Sequence, residues 1–276
     1  MSIPIEEYIM GRTSKEYQRL RIQAKDWEED TKRVLLKAGL SAGMSCLDIG
    51  CGPGEAMRLM GEIVGPEGSI TGIDIDGKIG REALNVLKTI ANSQYSFLEL
   101  DVESSDEVPG GPFDFTFTRI TLLHLKDSVE ILRKMMKWTK PGGVVVAQEY
   151  DLESAWKVYP ELDELAEAVQ TFRTFLKKAG RDAQVGLKLP AHFIEAGLGI
   201  PDGTDVAASL QDLNTVVRIT RDAYESVFPM AKSLGITDDA SRHRILSAID
   251  KAADTGGFYV LSPSLIGAWK RRPNKP

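Results

Sequence analysis

Short apolar runs alternate along the chain with longer segments whose apolar residues recur every three or four positions. The runs at 45–49, 69–73, 95–100, 113–118 and 144–147 are strand-sized. Between them, 55–63 and 78–92 read as helices, as does the segment after Asp127 that carries Ile131, Leu132, Met135, Met136 and Trp138; in the second, Ala83, Leu84, Leu87 and Ile90 form the buried stripe. Asp127 stands as an N-cap with Glu130 three residues on, a capping-box pattern, and that helix is predicted to stop at a turn formed by Pro141, Gly142 and Gly143. Val144, Val145 and Val146 are apolar on both faces, as a central parallel strand requires.

After Asp151 the pattern changes to long helical stretches. One carries Leu162, Leu165, Val169, Phe172 and Phe175, and others are predicted at 191–196, 221–232 and 239–253. A sixth strand is predicted within 205–210, and the last candidates are 258–261 and 265–269. The fold class is α/β: a doubly wound, mostly parallel, seven-stranded Rossmann-like sheet with helices on both faces and a helical lid. The chain reads as one domain over 1–276. Residues 1–40 form an N-terminal helical cover, 41–151 the ligand-binding core, 152–190 the lid insert, and 191–276 the rest of the sheet with a helical insert at 221–253.

Composition narrows the function classes. With 34 basic against 40 acidic side chains and a formal charge of −6, the chain lacks the basic field of a broad nucleic-acid or anionic-membrane surface. Its dense basic run, Lys270 to Arg272, reads as a soluble terminus. The opening residues carry no basic leader followed by an apolar stretch, and no run is long enough to cross a bilayer, so a cytoplasmic protein is expected. Cys46 and Cys51 supply neither a disulfide scaffold nor a four-ligand metal site, and their spacing is not that of a redox pair. Buried free thiols and no bound metal are expected. Nothing in the pattern specifies an oligomeric state.

The candidate chemistry begins at Gly50-Cys51-Gly52-Pro53-Gly54, between the first strand and its helix. Glycines there let a ligand approach the backbone closely. The third glycine comes one residue too early for a dinucleotide fingerprint, and Glu55 would repel a diphosphate. Asp74 at the end of the second strand can accept both hydroxyl hydrogens of a ribose, and Asp101 after the third can accept from an exocyclic amine. Together they suit an adenosine without phosphates. Asp48, flanked by apolar strand residues, must be hydrogen-bonded, either to loop amides or to a ligand ammonium group.

Leu47-Asp48-Ile49-Gly50-Cys51-Gly52-Pro53-Gly54, Gly72-Ile73-Asp74, Asp101 after Leu100, Phe113-Asp114 running to Arg119 and His124, and Lys140-Pro141-Gly142-Gly143 follow one another in order. In these motifs the chain resembles the class I S-adenosylmethionine (SAM)-dependent methyltransferases, in the small-molecule branch that acts on quinones, sterols and natural products. The resemblance covers residues 8–151 and, more loosely, the tail from Ala268 to Pro273. It implies that Gly50, Cys51, Gly52 and Gly54 cradle the methionyl part of SAM, or of its product S-adenosylhomocysteine. It further implies that Asp74 holds the ribose hydroxyls, that Asp101 and the Val102 amide read adenine, and that Ile75 and Arg119 line the cofactor pocket. Tyr8, Gly11, Arg12, Glu16, Arg19, Leu20 and Gln23 are similar to the family's cofactor cover, with Tyr8 and Gln23 approaching the methionyl carboxylate and amino group.

A sulfonium methyl is already a strong electrophile, so alignment and desolvation are the protein's main tasks. His124, Glu149 and Asp151 follow the carboxyl ends of strands and are candidates to take a proton from an acceptor. Tyr150 is placed to orient a substrate. Phe172, Phe175, Tyr224, Phe228 and Met230 either enclose an apolar or aromatic acceptor with an O, N or C nucleophile or hold the lid together. Two further readings remain: an RNA or protein methyltransferase, and a protein that binds SAM without transferring methyl.

Overall fold

A computed structural model describes residues 20, 22, 24–90 and 92–274; the candidate residues Tyr8 and Gln23 lie outside these. The described chain divides into two compact units. A sheet unit contains Leu20–Glu149, Val185–Val206 and the segment from Ile266, and a helical unit contains Tyr150–Gln184 and Ala207–Leu265.

The sheet unit alternates as the pattern requires: α1 (Glu28–Lys37), β1 (Ser45–Ile49), α2 (Glu55–Val64), β2 (Ser69–Asp74), α3 (Gly77–Ile90), β3 (Gln94–Glu99), β4 (Phe113–Arg119), α4 (Ser128–Trp138) and β5 (Thr139–Asp151). The seven-stranded sheet has the order β3-β2-β1-β4-β5-β10-β7, with β7 at Gly203–Ala207 and β10 at Ser264–Arg271. Strands β1 to β5 pair in parallel, and Asp48 sits in register with Gly72 on one side and Phe117 on the other. Chain order reverses at β1, with β2 on one side and β4 on the other, and the crevice at such a point is where open α/β sheets bind ligands. Val144 to Ala147 are essentially inaccessible, and Val34, Leu35, Met57, Met60, Phe115 and Phe117 pack into the same core. The Asp127 cap is present, its carboxylate accepting the Glu130 N–H at 2.9 Å, while the Glu130 side chain pairs with Arg133 instead of closing the box.

Three strand expectations are corrected. Pro141, Gly142 and Gly143 are not a turn ahead of the strand: β5 begins at Thr139 and carries them as an irregularity, because Phe113 pairs with Thr139 and Phe115 already with Val144. The sixth strand begins at Gly203, two residues early. Its alternation buries Asp205 and exposes Val206, since Asp205 is neutralised by Arg33 (2.7 Å) and Lys37 (2.5 Å) of α1, so hydrophobic counting mislocates it. The 258–261 run does not join the main sheet. Shortened to β9 (Tyr259–Leu261), it is the middle strand of a separate three-stranded sheet with β6 (Val158–Tyr159) and β8 (Leu210–Asp212).

In the helical unit, α5 (Asp163–Lys178), α7 (Leu213–Ser233) and α8 (Asp239–Thr255) pack around Leu165, Tyr224, Phe228, Ile245 and Ile249. Helix α7 starts eight residues before the predicted 221 because Asp212 caps it, accepting the Asn214 N–H at 2.8 Å. The remaining helix, α6 (Val185–Glu195), belongs to the sheet unit. Among the described residues no helix is long and apolar enough to cross a membrane.

Candidate functional site

The site grows from the loop after β1. The Gly50 and Cys51 N–H groups both donate to the Ile73 carbonyl, at 2.8 and 3.0 Å, which turns the chain back over the end of β2. Gly50 and Gly52 adopt φ of 69° and 47°, in the left-handed region. A Cβ at Gly50 would lie 2.5 Å from Thr121 Cγ2, whereas one at Gly52 would meet nothing within 4 Å. Gly50 is therefore needed for packing, and Gly52 leaves open space above the loop.

Two carboxylates lie close to the loop. Asp74 Oδ2 accepts the Gly52 N–H at 2.9 Å and Oδ1 accepts the Asp76 N–H at 2.8 Å, so the acid that ends β2 also shapes the glycine loop. Asp48 is 2% exposed, and its Oδ2 has no hydrogen-bond partner among the described residues. Burial pushes its carboxyl up to about 7; the Arg119 charge opposes this and the Asp74 charge adds to it. The Leu100 N–H donates to the Asp74 carbonyl, bringing the end of β3 beside that of β2. There Asp101 Oδ1 accepts the Glu103 N–H, and the buried Lys134 ammonium donates to the Val102 and Glu103 carbonyls at 3.0 and 2.8 Å. Ile75 is half exposed, and Cys51 is a buried free thiol whose pKa burial drives upward, with Asp48 and Asp74 adding to it.

On the other side, Arg119 at the end of β4 donates to Thr31 Oγ1 at 2.9 Å, and that hydroxyl donates to Gln148 Oε1 at 3.0 Å. Glu149 is fully buried, its Oε1 accepting the Thr121 and Leu122 N–H groups at 2.7 Å each, while Oε2 has no partner among the described residues. Thr121 Oγ1 donates to the Ile49 and Arg119 carbonyls at 3.3 and 3.1 Å and packs against Gly50. Glu149, Thr121 and Gly50 thus lock the loops after β5, β4 and β1 to one another. His124 closes the short 3-10 turn Leu122–His124, half-buried, its N–H donating to the Thr121 carbonyl at 2.9 Å.

Burial holds the Glu149 carboxyl at about 7, against an ordinary 4.5, despite the backbone donors that favour its charge. Because the folded value exceeds the unfolded one, its stabilising effect is complete below about pH 4.5 and is lost as pH rises through about 7. Glu149 alone accounts for a fall on the order of 3 kcal/mol, and Asp48 acts in the same direction. Urea unfolding of the protein and of Glu149→Gln between about pH 5 and pH 8 checks this. The variant is expected to lose stability less steeply with pH; identical slopes would mean that Glu149 titrates normally.

Residues 40–197 match the family described as a methyltransferase domain. The chain belongs to this methyltransferase-domain family. Phosphoethanolamine N-methyltransferase 1 of Triticum aestivum is 32% identical over 122 residues, which are 44% of this chain and 24% of that relative. Demethylmenaquinone methyltransferase of Staphylococcus aureus is 31% identical over 149 residues, 51% of this chain and 58% of the relative. The chain thus spans from about a quarter to under two thirds of these relatives' lengths. In structure it is similar to phosphoethanolamine N-methyltransferase 2 of Haemonchus contortus, with a TM-score of 0.55 at 16% identity, covering 99% of this chain and 61% of that one.

Within this methyltransferase domain, Asp48, the glycine loop, Asp74, Ile75, Asp101, Val102, Arg119, His124 and Glu149 lie on the carboxyl-terminal parts of strands β1 to β5 and the loops that follow them in the sheet unit. Tyr150, Asp151, Phe172, Phe175, Tyr224 and Phe228 belong to the helical unit. Asp151 is 9% exposed, and Tyr150 and Phe175 are buried. Trp156 meets Phe172 edge-on at 5.8 Å, and Arg242 lies 5.1 Å over the Phe228 ring, so several of these aromatics form that unit's own core. The sequence reading missed Thr31, Thr121, Lys134 and Gln148. Only Lys134 left a signal, as a lone cation on the apolar stripe of α4.

Proposed function

We propose that this methyltransferase domain transfers a methyl group from SAM to a small, largely apolar or aromatic acceptor carrying an O, N or C nucleophile. The observation that carries the reading is Asp48: a buried carboxylate with an unpartnered oxygen, beneath a glycine loop whose Gly52 faces open space. A buried carboxylate in this state is costly, and the ammonium of a methionyl group would supply its missing partner. Asp74 accepts the Gly52 and Asp76 N–H groups, and its carboxylate would also take the ribose hydroxyls. The Asp101 carboxylate, the Val102 amide and the half-exposed Ile75 would hold the adenine end, and Tyr8 and Gln23 would belong to the N-terminal cover.

Bound SAM supplies an electrophilic sulfonium methyl. The chain's part is to hold the methionyl end on Asp48 and the glycine loop, keep Arg119 in place through Thr31 and Gln148, and exclude water. Of the candidates for taking a proton from the acceptor, we favour His124, the half-buried imidazole on the turn after β4. Glu149 is fully enclosed with Oε1 committed to the loop after β4, and Asp151 accepts the Glu153 N–H. The net charge of −6 favours a metabolite over a nucleic acid, in the cytoplasm.

Methyl-labelled SAM incubated with the protein and with extracts separated into metabolites, RNA and protein tests the acceptor class. Label is expected chiefly in the metabolite fraction. Label chiefly in RNA or protein would overturn the acceptor class, and binding of SAM without label in any fraction would favour a non-catalytic role.

A further inference from the structure

The helical unit contains a cavity of about 490 Å³ that plays no part in the cofactor reading. One face of α5 lines it with Arg173, Thr174 and Lys177, and the chain returns after Gly180 to add Arg181. Glu153 and Asp182 also line it, so among the described residues the wall carries three cations against two acids.

These cations differ in what they already hold. Arg173 donates to the Glu153 and Leu152 carbonyls, at 2.7 and 3.2 Å, and pairs with the Glu153 carboxylate at 3.5 Å, which neutralises both charges. Asp182 accepts the Gln184 N–H at 2.9 Å. Arg181 Nε is buried without a hydrogen-bond partner among the described residues, although a guanidinium N–H removed from water should have an acceptor. Lys177 is exposed at the rim one helical turn beyond Arg173, and Thr174 Oγ1 accepts from Gln170, leaving its hydroxyl hydrogen to donate.

We propose that this cavity is a binding site for a small oxyanion of phosphate size, free or borne on a small molecule. Arg181 supplies its guanidinium charge and terminal N–H donors, Lys177 supplies a point charge, and the Thr174 hydroxyl supplies a further donor. Donors converging from three side chains suit a tetrahedral group with three or more oxygens better than a two-oxygen carboxylate.

Calorimetric titration with inorganic phosphate, ethyl phosphate and acetate at constant ionic strength, without SAM, tests this. Saturable one-to-one binding is expected for phosphate or ethyl phosphate, with acetate weaker; the tighter of the two tells a free anion from a borne one. Arg181→Gln and Lys177→Gln should each weaken it about tenfold or more. Lys232→Gln, which alters a surface pair with Asp239 outside the cavity, should change it less than about twofold. Lys177 is exposed, so its variant is expected to fold even where Arg181→Gln does not. Absence of saturation, or an equal loss in Lys232→Gln, would overturn the assignment. S-adenosylhomocysteine binding in the same samples reports separately on the cofactor site.

Discussion

Replacing Gly50 with alanine is expected to destabilise the protein by about 2 to 5 kcal/mol and to remove most cofactor binding with it. A side chain in the left-handed region costs roughly 1 to 2 kcal/mol by itself. Here the added carbon must also displace Thr121, whose N–H and hydroxyl tie β4 to Glu149 and to Ile49, and overpacking of this kind adds about 1 to 3 kcal/mol. Gly235 provides the comparison, with φ of 66° in the left-handed turn that ends α7 and nothing within 4 Å of an added methyl, so Gly235→Ala should show the backbone cost alone. Urea unfolding of both variants separates the contributions. Equal losses would mean that the lock between Thr121 and Gly50 carries no energy.

Asp74→Ala should weaken S-adenosylhomocysteine about tenfold to a hundredfold, the worth of a charge-assisted hydrogen bond. The carboxylate acts twice. It holds the Gly52 N–H that shapes the loop, and in the proposed reading it would also accept the ribose hydroxyls. Asp74→Asn keeps one acceptor oxygen and should fall between the two. Calorimetry measures all three proteins, and an unchanged affinity in Asp74→Ala would remove the ribose assignment.

The alternation of apolar runs and helical stripes was legible from Ser45 to Ala147 because parallel strands buried on both faces leave continuous hydrophobic segments. It failed where burial was decided by a partner distant in sequence. Asp205 is buried because α1 brings Arg33 and Lys37 to it, 172 and 168 residues away. The start of α7 depended on a single cap at Asp212 that no periodicity reports. At the candidate site the glycine loop, Asp74 and Asp101 were readable from their places after strands. The lock from Glu149 through Thr121 to Gly50 was not, since it joins three loops through backbone donors that have no sequence signature. Glu149 was read only as a residue after a strand, and its burial and two accepted N–H groups are tertiary facts.

The most direct test of the central claim is calorimetric titration of the purified protein with SAM, S-adenosylhomocysteine and a nicotinamide dinucleotide. The glycine loop followed by Glu55, with Asp48 beneath it and Asp74 beside it, is expected to give one-to-one binding of both adenosyl compounds and no response to the dinucleotide. Tight dinucleotide binding with no response to either adenosyl compound would contradict it.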